Sequence, residues 1–216
     1  MRYFIFDKYN TWHDWRLTLT AKDVTPPEPK TNYVSLDGAH GSLDLTEALT
    51  GEVPYQDRTL TASFTTSEGS HADRLLLFRE LCTALHGKKV DIVEPDDPDH
   101  YFRGRAVISG LDMDQVRMSF SVKATCEPWR YASEETARTV ELQNETIDVV
   151  LWNAGAKTLC PYVDVEGEVA LTFEGGSVVL ESGSYRVTNI RLPHGGTVVR
   201  VTGSGTVIFT YREAML

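Results

Sequence analysis

The sequence predicts a mainly β protein, in which an N-terminal β-sandwich-like domain with one α-helix precedes a small C-terminal β-sandwich. Three observations lead to this prediction. Apolar and polar residues alternate in "RTLTASFTT" at 58–66, which is the period of a half-buried strand. The segment 71–86 has helical spacing instead. Beyond residue 136, short apolar runs are separated by glycine turns, the pattern of an all-β sandwich.

The N-terminal segments "YFIF", "WRLTLT" and, after the proline-rich break "TPPEPK", "NYVSL" are predicted strands. Between the first two lies "YNTWHDWRL". If this segment is a strand, Tyr9 and Trp15 share one face and Trp12 lies on the other. Exposed tryptophan is typical of interfaces, so Trp12 and Trp15 are candidate rim aromatics, with core packing as the alternative for each.

The helix is predicted over about 71–86, with the usual boundary error of roughly 2–4 residues. Ser70 and Asp73 form a capping-box pattern at its start, and Gly87 stands where the helix should end. Strands resume in "KVDIVEP", "YFRGRAVISGL" and "QVRMSFSVKATCEP". The helix presents one apolar face: Leu75, Phe78, Leu81, Cys82 and Leu85.

A domain boundary is predicted near "WRYASEETAR", where strand alternation stops, so the domains should be 1–132 and 133–216. Glycines at 155, 167, 175–176, 183, 195–196 and 203–205 are interpreted as turns of the C-terminal domain. The expected strands there are "RTVEL", "IDVVLW", "YVDVEG", "EVALTFEG", "SVVLESG", "SYRVTNI", "TVVRVTGSG" and "GTVIFTYR".

Composition and motifs indicate no enzyme. The net charge of −10 disfavours general nucleic-acid binding, and no apolar run approaches the length of a membrane span. We expect a soluble protein made in a cytoplasm, with no catalytic residues, no metal site and no cofactor. The acidic stretch "EPDDPDH" is predicted to be an exposed turn rather than a cation site. The three cysteines are too far apart for a CxxC pair.

Three segments together resemble the distal tail proteins of phages with long, non-contractile tails. They are "DGAHGSLDLTEALTGEVPYQDRTLTASF" at 37–64, the helix end and hairpin in "LHGKKVDIVEPDDPDHYFRGRAVIS", and the strand ending in "CEPWRY", followed by a small sandwich. The resemblance covers the whole chain and is most specific at 34–131. It implies that the C-terminal sandwich is galectin-like.

The resemblance also implies a function. Distal tail proteins form hexameric rings at the tail tip, which continue the tail tube, join it to the tail hub protein and often anchor receptor-binding proteins. We therefore expect a virion structural protein of the tail tip or baseplate, assembled in the host bacterial cytoplasm and active in host attachment. Phage DNA would pass through the lumen without specific binding, and no membrane would be involved.

The segment 37–58 is the candidate subunit interface. It is too apolar for a free loop and too often interrupted by glycine turns for a core element. A closed ring requires one patch of each subunit to contact a different patch of the next, whereas folding back on its own domain is the alternative. The candidate interface side chains are Leu43, Leu45, Leu49, Val53 and Tyr55.

The sequence is also compatible with two functions other than that of a tail-tip adaptor. A carbohydrate-binding module that takes part in host surface recognition would use exposed aromatic faces, although strand alternation assigns most of the C-terminal aromatics to the core. A glycosidase would need two carboxylates in one cleft, and the sequence nominates no pair. The aromatics in question are Trp152, Tyr162, Phe173, Tyr185 and Tyr211.

Overall fold

A computed structural model describes residues 3–38 and 40–216. The chain forms two compact units, of which the first extends to Arg130 and the second spans Tyr131–Met215. The boundary predicted from the sequence lay two residues further on, at 132/133. The protein is mainly β with a single α-helix among the described residues, as predicted.

The first unit contains a sheet of seven strands in the order β2-β1-β7-β8-β9-β6-β3 and, separately, the β4-β5 hairpin. The helix α1 lies between β6 and β7 in the chain. The bounds are β1 Ile5–Phe6, β2 Tyr9–Asn10, β3 Thr18–Val24, β4 Tyr33–Ser35, β5 Ser42–Asp44, β6 Arg58–Thr66, α1 His71–Leu85, β7 Lys89–Glu94, β8 Asp97–Met113 and β9 Met118–Ala132.

Strand β6 confirms the predicted alternation. Burial alternates at every residue along it, because Leu60, Ala62 and Phe64 face the core while the hydroxyl-bearing residues between them face outward. Phe64 packs edge-on against Phe4, with ring centroids 6.1 Å apart. Alternation in the sequence therefore located the core face of this sheet correctly.

The helix begins and ends close to the predicted positions. The capping box is present, since the Ser70 hydroxyl accepts from Asp73 N at 3.2 Å and the Asp73 carboxylate accepts from Ser70 N at 2.8 Å. Beyond the last turn, Gly87 adopts a φ of +78°, which an L-residue with a side chain adopts only at a cost. Leu81 and Leu85 are buried, and Phe78 is half-buried against the same core.

The second unit contains a five-stranded sheet in the order β10-β14-β11-β12, with β13 paired to β11. Its core consists mainly of valine and leucine around Phe209. No helix among the described residues is long and apolar enough to cross a membrane. The bounds are β10 Thr136–Asn153, β11 Tyr162–Phe173, β12 Gly176–Leu180, β13 Gly183–Arg186, β14 Gly195–Tyr211 and β15 Ala214–Met215.

The glycines of the second unit correct the sequence interpretation. Six of the expected short strands are instead halves of three long ones, β10, β11 and β14. Gly167 and Gly205 lie directly opposite each other in the β11–β14 ladder and do not end their strands. A Cβ on Gly205 would lie 1.8 Å from the Glu166 carbonyl oxygen. These glycines permit close approach of two continuous backbones rather than forming turns.

Candidate assembly interface

Residues 28–38 and 40–56 belong to an extension of the first unit, which we call the arm. Its base is a pair of antiparallel segments in which Lys30 N donates to Pro54 O at 2.7 Å and Gln56 N donates to Glu28 O at 2.8 Å. Further out, β4 pairs with β5, with Tyr33 opposite Asp44. None of the described arm residues belongs to the hydrophobic core of the unit. The arm is thus held by hydrogen bonds at its base and has no core of its own.

The arm exposes large apolar side chains to solvent. Leu49 is 98% exposed and Tyr33 is 61% exposed, while Leu36 and Leu43 are each about half exposed. Burying a leucine side chain of this kind is worth about 2 kcal/mol. The exposed Val34 stands directly opposite Leu43 in the β4–β5 ladder, and adjoining exposed apolar side chains are typical of a surface that another molecule covers. The arm is therefore the first candidate for an interface.

The structure divides the predicted interface residues into two groups. Leu43 and Leu49 are exposed and available to a partner. Leu45, Val53 and Tyr55 are half-buried within the chain, and the Tyr55 ring packs edge-on against Trp129 at 5.8 Å. Whether any of the five contacts another subunit stays a prediction.

Sequence analysis missed the first half of the arm. Tyr33 and Leu36 belong to "NYVSL", which was predicted to be a strand, and β4 is indeed a strand. Strand patterning does not distinguish a strand of the main sheet from one in an isolated hairpin, because the alternation is the same. The only available signal was the proline-rich break before it, which separates the arm from β3.

The arm is also acidic. Its acidic residues are Glu28, Asp37, Asp44, Glu47 and Glu52, against Lys30 as the only Lys or Arg, so five negative charges and one positive charge give −4. A hollow of about 390 Å³ lies beside Asp44 and Glu47. The Thr46 hydroxyl and backbone amide donate to the Asp44 carboxylate and lower its pKa, so this carboxylate is ionised at neutral pH.

The tryptophan-rich segment after β2 folds as a turn, not as a strand. Trp15 is 3% exposed, stacks on Tyr9 at 4.9 Å and donates from Nε1 to Glu80 Oε1 at 3.1 Å. The prediction of Trp15 as an exposed rim aromatic is therefore wrong, because the turn folds its ring into the core. Trp12 is half-buried, with the Arg16 guanidinium 5.9 Å from its ring centroid.

The acidic stretch at 94–100 is occupied by ion pairs. Glu94 contacts Lys22 at 2.6 Å and Arg130 at 3.0 Å, and Asp97 contacts Arg130 at 2.6 Å and His100 at 2.8 Å. Burial raises the pKa of Asp97, but the hydrogen bonds from His100 and Arg130 outweigh burial and lower it. Within the described residues, no group of three or more His, Cys, Asp or Glu is placed to hold a metal ion.

The aromatic residues of the second unit also divide into two groups. Tyr211 is buried and donates its hydroxyl to Trp152 O at 2.7 Å, while Phe173 and Tyr185 are half-buried against the core. Trp152 and Tyr162 are each more than half exposed. Trp152 and Tyr162 are therefore the two aromatic side chains of this group that are accessible to a ligand or partner.

A groove of about 470 Å³ runs beside the start of β14. It is lined by Gly196, Asn189 and Arg191 among others. The Trp152 ring lies over Gly196, where an added Cβ would be 3.2 Å from a ring carbon. The groove is thus lined by both apolar and polar residues, and the Trp152 ring adjoins it at Gly196.

The chain has the fold of a known phage protein, although its sequence matches no family model. No protein-family model and no curated protein sequence matches the chain. Among solved structures, the chain shares the fold of a protein of a phage hub adsorption apparatus over its whole length.

That structure is the Dit protein of phage SPP1, described as "a paradigm of hub adsorption apparatus in Gram-positive infecting phages". The TM-score is 0.73, the sequence identity is 16%, and the match covers 100% of each chain. The Dit-like fold predicted from the sequence is confirmed. At this identity, the likeness concerns the fold.

Proposed function

We propose that the protein is a structural adaptor of a long, non-contractile phage tail tip. In this proposal it forms a hexameric ring that joins the tail tube to the tail hub and the receptor-binding apparatus. The observation that carries the proposal is the arm, whose exposed apolar side chains have no cover within the chain. The adaptor acts by binding and positioning other proteins, without catalysis or a cofactor.

A ring is the assembly that we propose for subunits joined by such an arm. In the proposed ring, the arm of one subunit binds a different surface of the next subunit. This is a heterologous contact, and a heterologous contact that closes gives a cyclic ring. The full-length fold match to a protein of a phage hub adsorption apparatus supports a structural role at the tail tip.

The proposed partners are the tail tube protein on one side of the ring and the hub protein on the other, with receptor-binding proteins attached to the assembly. The location is then the tail tip of the virion, after assembly in the host cytoplasm. The overall charge of −10 supports DNA passage through the lumen without specific binding, because a negative lining repels phosphate.

Replacing Leu49 with aspartate is expected to convert rings into folded monomers. Each subunit contact would lose about 2 kcal/mol of leucine burial and would also have to desolvate a carboxylate. Light scattering after size exclusion, over a range of concentrations, should give a mass near six times 24.2 kDa for the wild type and near 24.2 kDa for the variant.

The matched control for this experiment is Val179→Asp, which places the same charge at a 65% exposed apolar residue of the second unit. The control should still assemble. A Leu49→Asp protein that assembles as well as the wild type would contradict the arm as the interface, and a wild type that stays monomeric at all concentrations would contradict the ring.

A second candidate function is carbohydrate binding by the second unit, which the exposed Trp152 beside a groove that contains Asn189 and Arg191 favours. Sugar rings stack their C–H faces on aromatic rings, while amide and guanidinium groups bind hydroxyls.

If this candidate is correct, Trp152→Ala should weaken binding to a saccharide identified on a glycan array by about tenfold or more. Tyr162→Ala, at a 54% exposed aromatic residue that pairs with Thr210 and not with the groove residue Gly196, should leave that affinity unchanged. Titration calorimetry would measure both affinities. Equal losses in the two variants, or no glycan bound by the wild type, would reject the candidate.

A further inference from the structure

A cluster of cationic side chains lies where α1 leads into β7. Lys89 stands directly opposite Arg105 in the β7–β8 ladder, and Ala106 N donates to Lys88 O at 2.9 Å, so Lys88 adjoins the same pair. All three side chains are exposed. We call Lys88, Lys89, Arg105 and the neighbouring Val107 the basic patch.

The basic patch is incompletely neutralised by the chain itself. Lys89 pairs with Glu127 at 2.7 Å, whereas Arg105 donates to the carbonyl of Gly87 and no carboxylate of the described chain pairs with Lys88. Like charges directly opposite each other on a sheet destabilise it. The C-terminal end of α1 offsets part of this repulsion, because its carbonyls carry partial negative charge. An external carboxylate would relieve the rest.

An apolar side chain accompanies these charges. Val107 is 42% exposed and lies two residues from Arg105, on the same face of β8. The patch therefore combines uncompensated positive charge with accessible apolar surface, in a chain whose net charge is −10. The arm has the complementary combination, with a charge of −4 and exposed leucines. A second copy of the chain thus supplies a surface that matches the patch in both respects.

We propose that the basic patch is the surface on which the arm of a neighbouring copy docks. This inference rests on the proposed ring and names its receiving face. Glu47 and Asp37 of one copy would lie close to Lys88 and Arg105 of the next, and the arm's leucines would cover Val107. Electrostatic complementarity of this kind fixes the register and direction of the contact, because a reversed or shifted arm would bring like charges together.

Charge reversal tests the docking. The patch variant carries Lys88→Glu and Arg105→Glu, the arm variant carries Asp37→Lys and Glu47→Lys, and a fourfold variant combines them. Each of the two double variants should self-associate roughly 100-fold more weakly than the wild type, because like charges then meet at the contact. The fourfold variant should recover to within roughly tenfold, since both signs are exchanged.

Mixing the two double variants should also restore assembly, because each one's arm matches the other's patch. Sedimentation velocity at two salt concentrations measures all of these associations, and circular dichroism verifies that every variant folds. Wild-type assembly tests the ring on its own, so a failure of the ring and a failure of the docking are separate results.

Two outcomes would overturn the docking while leaving the ring. In the first, both double variants assemble like the wild type. In the second, each double variant is defective but neither mixing nor the fourfold combination restores assembly. If patch reversal spares assembly but removes salt-dependent binding of a double-stranded DNA fragment, measured by fluorescence anisotropy, the patch binds phosphate instead.

Discussion

Replacing Gly205 with alanine should unfold the second unit, with a loss of about 3 kcal/mol or more in its free energy of unfolding. Gly205 has a φ of +129°, and an added Cβ would lie 1.8 Å from the Glu166 carbonyl oxygen. The neighbouring atom is backbone on the paired strand, so β11 and β14 would have to separate. Hydrogen exchange measured by mass spectrometry should show protection lost along both strands.

The control for this prediction is Gly176→Ala. Gly176 has a similar φ, +138°, but its added Cβ would meet no atom within 4 Å. It therefore isolates the backbone conformational cost, about 1–3 kcal/mol, from the steric clash. If the two variants lose the same stability, the close approach of β11 and β14 is not what requires glycine at 205.

Replacing Arg74 with methionine should destabilise the first unit by about 3 kcal/mol, which lowers its melting temperature by roughly 10 °C. Arg74 is 1% exposed although it lies on the helix. Its guanidinium donates to Gly69 O at 2.6 Å and to Gln115 O at 2.7 Å, and so links the start of α1 to the β8–β9 turn. Methionine has a similar length but leaves both carbonyls without this donor.

Arg79→Met provides the comparison, because Arg79 lies on the same helix and is exposed. It should change stability by less than about 0.5 kcal/mol. Thermal unfolding followed by circular dichroism would measure both variants. Equal melting temperatures for the two would show that the link between α1 and the β8–β9 turn contributes little.

Arg74 also marks a limit of sequence analysis. The helical pattern placed Leu81 and Leu85 on the buried face correctly, because apolar spacing is a local property. The same pattern gave no reason to bury an arginine at 74. One of its acceptors, Gln115 O, belongs to a turn about 40 residues away in the chain, and only the folded structure brings it within hydrogen-bonding distance.

Trp15 was misassigned for a related reason. The direction of its ring depends on whether residues 11–15 form a strand or a turn. They form a turn, which is stabilised by local hydrogen bonds such as that from Asp14 N to Asn10 O at 3.0 Å. For the arm, the sequence pattern nominated Leu43 and Leu49 as interface candidates and indicated that the segment is not a core element. It did not show that Tyr33 and Leu36 join them on the same exposed extension.

The sequence by itself determined the β class, the single helix with its caps, the presence of two units and the resemblance to distal tail proteins. These follow from local periodicity, capping chemistry and the combined pattern of segments. Tertiary structure alone decided that glycines such as Gly167 and Gly205 allow close backbone approach instead of forming turns. It also decided which apolar side chains, such as Leu49, are exposed, and that Lys88 has no carboxylate partner among the described residues. Exposure and ion pairing both depend on contacts with residues that are distant in the chain, so the local sequence pattern does not predict them.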